Sequence, residues 1–166
     1  HYIAALQLSP VSQTAREGLA NVCIALGRYK EAGLHLRELM RKSPQRAELS
    51  VALADVLLET GELEEAESTA RRAIELNPSA REPYITLADI YSIRGNSISA
   101  IEILEAAVAT TNSIIALGKL TYQLRLACEW RKWAIAWQQL IDALPGTEER
   151  ISPFSLLCEP LSAADQ

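Results

Sequence analysis

Residues 54–78 read ADVLLETGELEEAESTARRAIELNP, and this stretch decides the architecture. Its apolar residues fall at helical spacing on either side of one glycine. Val56 and Leu57 continue a face begun by Leu49 and Leu53, while Leu63, Ala66, Ala70, Ala73 and Ile74 form another. Gly61 stands where the first helix must stop, because a residue without Cβ enters the left-handed conformation at no steric cost. Pro78 follows the second helix, which it cannot continue, although it can open the next segment without strain. The stretch therefore predicts two antiparallel helices joined by a tight turn.

Outward from this hairpin the same marks recur at a fixed step. Ala20, Ala54 and Ala88 are 34 residues apart (54 − 20 = 34), and Ala32, Ala66, Ala100 and Ala134 keep the interval. So do Gly27, Gly61 and Gly95, the leucines Leu19, Leu53 and Leu87, and the prolines Pro10, Pro44 and Pro78, which fail only at Asn112. Alanine recurs where helix axes approach to about 8–10 Å, a distance set by the side chains at the contact. One such hairpin cannot bury its own apolar face, so copies must stack.

With these residues in place, the chain resembles the tetratricopeptide repeat, in three copies at 13–46, 47–80 and 81–114. The small residue at the eighth place is Ala20, Ala54 and Ala88, and the alanine at the twentieth is Ala32, Ala66 and Ala100. Arg16 and Ser50 depart from a frequent tryptophan, and Leu39 from a small residue. The resemblance implies an all-α fold, a right-handed superhelical solenoid of antiparallel hairpins. Residues 1–12 fit the second helix of a preceding, truncated repeat. Residues 115–144 read as a degenerate capping hairpin, with helices over 115–128 and 130–143. Residues 145–166 read as a linker and the start of a following domain, and Ser162 with Asp165 gives a helix-start signal there. Both ends are thus expected to be cut.

A net charge of −5 with no clustered Lys/Arg stripe argues against nucleic acid, whose phosphates must be neutralised. No apolar run of about 20 residues or signal sequence suggests a membrane or export, and a cytoplasmic location is expected. Cys23, Cys128 and Cys158 are odd in number and lack C-x-x-C spacing, and only His1 and His35 are available, so neither disulfides nor a metal site is expected. No catalytic residue and no cofactor is assigned. The acidic run Glu59, Glu62, Glu64, Glu65 and Glu67 reads as a solvated turn and helix start favoured by the macrodipole, with Glu67 and Arg71 paired at i and i+4.

Trp130, Trp133 and Trp137 share one helical face and are expected to cap the last repeat or to dock the next domain. The segment around Cys128, Glu129 and Trp130, followed by Ser152, Pro153 and Phe154, resembles the junction between repeats and catalytic region in bacterial and plant relatives of O-linked N-acetylglucosamine transferase. Glu129 departs from the commoner aspartate. That resemblance, which covers roughly 120–166, implies a parent glycosyltransferase whose catalytic lobes are absent from this chain. In that reading the tryptophans contact the catalytic domain.

The tetratricopeptide resemblance also implies a concave wall lined by the second, fifth, ninth and twelfth places of each first helix. These are Thr14, Glu17, Asn21 and Ile24, then Glu48, Val51, Asp55 and Leu58, then Glu82, Ile85, Asp89 and Ser92. The ladder Asn21, Asp55, Asp89 and Gln123 is expected to accept hydrogen bonds from the backbone of an extended protein or peptide partner, with a preference for basic or N–H-rich ones. The competing assignment has these polar groups bridging neighbouring repeats. The expected function is a protein-binding arm of a glycosyltransferase, the alternative being a non-enzymatic adaptor or scaffold that self-associates. A clamp for an acidic C-terminus is disfavoured, since Glu17, Val51 and Glu82 hold places that would need positive charge.

Overall fold

The computed structural model describes residues 13–144. These residues form eight α-helices: α1 (Gln13–Ala25), α2 (Tyr29–Lys42), α3 (Ala47–Thr60), α4 (Leu63–Leu76), α5 (Glu82–Ile93), α6 (Ser97–Thr111), α7 (Ile114–Leu126) and α8 (Trp130–Ala143). No strand occurs among the described residues. The half-repeat expected at 1–12 and the linker with its helix start expected at 145–166 lie outside them. Each helix packs on the next in chain order, and α3 also touches α5 directly, so the fold is a solenoid in which odd-numbered helices line one wall.

The recurring alanines of the first three hairpins are buried between the helices. Ala20, Ala54 and Ala88 are at most 1% exposed, and Ala32, Ala66 and Ala100 are fully buried. One apolar cluster runs from Ala20 to Ala100 and a second from Ala88 to Leu140; the two overlap along α5 and α6, so no repeat has a core of its own. This is the packing counterpart of the period.

Helix termination also follows the repeat. Gly27, Gly61 and Gly95 have φ of 69°, 78° and 71°, and the N–H after each reaches back to Cys23, Leu57 and Tyr91 carbonyls at 2.8, 2.9 and 2.8 Å. This is the six-to-one bond of a left-handed helix cap. The period slips in the last hairpin. Asn112, standing where proline stood before, takes a left-handed φ of 49° and closes α6 onto the Val108 carbonyl. Proline cannot adopt that conformation. Ser113 then caps α7 by accepting from the Ala116 N–H, so the connection shrinks to residues 112–113, against 77–81 one repeat earlier.

From there on the step is 33: Gly95 is matched by Cys128 (128 − 95 = 33) and the start of α6 at Ser97 by Trp130 (130 − 97 = 33). Two expectations are corrected. Helix α7 spans Ile114–Leu126 rather than 115–128, because Cys128 is left-handed and belongs to the turn. Ala134 is exposed, and Trp133 takes the place of Ala100 (133 − 100 = 33).

Cys128, with φ of 57° and the Glu129 N–H bonded to the Leu124 carbonyl at 2.9 Å, does a glycine's work with a side chain attached. Cys128→Gly is therefore expected to stabilise the protein by about 0.5–1 kcal/mol, the left-handed penalty less the extra entropy of glycine in the unfolded chain. The check is the urea midpoint at unchanged slope. A midpoint at or below the parent's would contradict the strain assigned to this turn.

Candidate protein-binding groove

Helices α3, α5 and α7 line a trough made of two adjoining cavities of about 530 and 480 Å³. Leu58, Glu59 and Asp89 border both, so the two form one channel. In the first, Ile93 and Tyr122 are open to solvent at 63% and 46% exposure. The floor of the second comes from Ile24, Ala52, Leu58 and Ile85. The mixture arises because positions five and twelve of an inner helix lie about one turn to either side of position nine, which carries the acid, and so share its face.

Of the residues expected on this wall, Ile24, Asp55, Leu58, Glu82, Ile85, Asp89, Ser92 and Gln123 border one or both cavities. Thr14, Asn21 and Glu48 are exposed and Val51 is half-buried, and none of them borders either cavity. Glu17 pairs with Arg46, the residue that precedes α3. The ladder is drawn partly into contacts between repeats. Asp55 Oδ1 accepts from the Thr86 hydroxyl at 2.5 Å, and both Asp89 oxygens accept from Lys119 Nζ at 2.6 and 2.9 Å. Gln123, only 8% exposed, donates through Nε2 to the Ser92 hydroxyl at 2.7 Å. By the 33-residue step Tyr122 follows Asp89 (122 − 89 = 33), which leaves Gln123 one place further on.

Glu59, Thr86, Ile93, Lys119 and Tyr122 also border the trough and were not expected there. Glu59 was legible: it lies four residues after Asp55 on one helix face. Lys119 and Tyr122 were hidden by the slip. On the far side of the helices, Glu67 collects Tyr91, Arg71 and Arg94, and the Tyr91 hydroxyl, ahead of Arg94, holds its carboxyl below the usual range. The i,i+4 pair of Glu67 and Arg71 forms at 3.2 Å.

Asp55 is charged unfavourably. Enclosure by the trough walls pushes its carboxyl up, and Glu82 and Asp89 on α5 and Glu59 on α3 push the same way, against the Thr86 hydroxyl, which lowers it. A carboxyl whose folded pKa is raised costs stability while ionised, and that cost vanishes as pH falls through the raised value and below the unfolded one. Asp55→Asn is thus expected to melt above the parent near pH 7, with the gap closing below about pH 3, where both side chains are neutral. A gap of equal size at both pH values would contradict this electrostatic origin.

At the end of the solenoid Trp133 and Trp137 stack at 5.7 Å and 14°, half-buried against the second cluster, while Trp130 meets Trp133 edge-on at 6.4 Å and is 58% exposed. No helix among the described residues is long and apolar enough to cross a membrane. Nor do the described residues bring three or more His, Cys, Asp or Glu together in an arrangement able to hold a metal ion.

Comparison with known proteins agrees with this geometry. Two family models, each described as tetratricopeptide repeat, match residues 28–84 and 1–47, together the first half of the chain. No curated protein matches by sequence. Among solved structures, MamA superposes with a TM-score of 0.78 at 19% identity, over 85% of this chain and 83% of its own. TTC0263, a thermophilic repeat protein of Thermus thermophilus, gives 0.69 at 18% over 87% and 80%. YrrB, described as a TPR protein with an unusual peptide-binding site, gives 0.70 at 23% over 87% and 75%. At such identities the likeness establishes the fold. With a sequence period of 34 residues, glycine-closed hairpins and shared cores between neighbours, the chain belongs to the tetratricopeptide repeat proteins.

Proposed function

We propose that this chain binds a segment of another polypeptide, in extended form, along the trough of α3, α5 and α7. The observation that carries the reading is the continuity of the two cavities through Leu58, Glu59 and Asp89, with apolar side chains and hydrogen-bonding groups interleaved along one channel. Extended peptides offer that alternation themselves, side chains to pockets and backbone groups to polar partners. A second support is the fold shared with YrrB, described as having a peptide-binding site. The chain does this as a binding module and catalyses nothing itself.

Selection of peptides from a random library, followed by capture on Ile85→Arg and Ile98→Arg, tests the reading. Ile85 borders the trough, whereas Ile98 lies exposed on α6 away from both cavities. Capture is expected to fall with Ile85→Arg and to persist with Ile98→Arg. Equal capture by the two variants would remove the trough as the site.

A finer reading makes this solenoid the recruiting arm of an O-linked N-acetylglucosamine transferase. Its support is the sequence likeness at Cys128, Glu129 and Trp130 and at Ser152, Pro153 and Phe154. Two of those residues have local duties: Cys128 closes α7 and Glu129 precedes the first turn of α8. The matched family models describe repeats alone. Reading the gene past Gln166 tests it: two Rossmann-like halves are expected, and a stop codon there would overturn the reading.

A further inference from the structure

We propose that the trough selects a peptide carrying a Lys or Arg, whose charge sits over Asp55 and Glu59 while its apolar neighbours rest on Ile85, Leu58 and Ile93. This rests on the peptide-binding reading above and adds the chemistry of the partner. Its ground is charge complementarity within a shaped channel. Asp55 borders the smaller cavity and Glu59 borders both, so this pair stands where the two halves of the trough meet. Apolar surface continues on either side of it, toward Ile85 in one direction and Ile93 in the other.

Of the protein's own cations near Glu59, Arg28 is held by Glu31, while Lys30 borders a further cavity together with Arg28 and Glu59. Lys119, the one cation bordering the larger cavity or the smaller among the described residues, holds Asp89 by both oxygens. Asp55 receives the neutral hydroxyl of Thr86, which fixes its Oδ1 and leaves Oδ2 without a partner among the described residues. Glu59 lies one helical turn further along α3, and two like charges at that spacing repel each other.

An incoming ammonium or guanidinium relieves that repulsion and meets two carboxylates in a partly enclosed trough, where attraction exceeds that of a fully exposed pair. An incoming carboxylate adds to the repulsion, so the trough discriminates by sign as well as by shape. A bare divalent cation is a poorer occupant, since no group of three ligating side chains is placed for one among the described residues.

Fluorescence anisotropy of the full chain tests this with three short labelled peptides of alternating Leu and Ser, alike except for a central Lys, Gln or Glu. The Lys peptide is expected to bind about tenfold more tightly than the Gln peptide, the size of two partly desolvated ion pairs, and the Glu peptide most weakly. Asp55→Asn with Glu59→Gln, checked for helicity by circular dichroism, is expected to bind the Lys and Gln peptides equally. Equal binding of those two by the parent, or a preference that survives in the double variant, overturns the charge assignment and leaves the groove reading standing. Saturable binding by none of the three removes the groove reading and this inference with it.

Discussion

Truncating Leu57 to Ala lowers the free energy of unfolding by about 2–5 kcal/mol, the range for a large buried side chain whose cavity cannot fully collapse. Leu57 is fully buried in the cluster that joins α1 to α6, and its carbonyl accepts the Glu62 N–H that closes the α3 turn. Collapse around the missing atoms is resisted from both sides, because neighbouring repeats press on the same cluster. Urea unfolding followed by circular dichroism measures the loss. A change under about 1 kcal/mol would mean that the middle repeat is not where the stack is tightest.

Overpacking gives the second large effect. Ala54 has no exposed surface and lies in the cluster shared by neighbouring hairpins, and Leu in its place forces backbones apart at a cost of about 1–3 kcal/mol. Ala134→Leu is the matched control. That alanine belongs to the same kind of sequence series yet is exposed on α8, so its substitution is expected to stay within about 0.5 kcal/mol of the parent. A large loss at Ala134 together with a small one at Ala54 would reverse the register assigned to the last hairpin.

The helices were legible because the residues that set them act locally and recur. Gly61 closes α3 and Pro78 follows α4 for reasons that hold in any neighbourhood, and Ala66 is buried because its series marks the contact. Where one local rule changed, the reading slipped. Asn112 replaced a proline with a residue able to turn left-handed, the connection shortened, and everything after it moved by one place. Ala134 therefore gave way to Trp133, and Tyr122 came to follow Asp89.

Part of the trough's lining was legible by period, and its bonding was not. Asp55 and Asp89 recur on schedule, but Lys119 reaching Asp89 depends on how α7 stacks on α5, and no spacing within one repeat reveals it. Glu59, exposed and yet on the trough, fits two readings at once. Read within its acidic run it is a solvated charge at a turn; read against Asp55, one helical turn away, it belongs to the trough.

The most direct test of the central claim places a photo-crosslinking amino acid at position 85, on the trough, or at position 98, on the outer helix α6, and irradiates each with a selected peptide bound. The account predicts crosslinks from position 85, competed away by unlabelled peptide, and none from position 98. Crosslinks from position 98 with none from position 85 would show that partners are gripped on the outer face, and that the concave channel is not the binding surface.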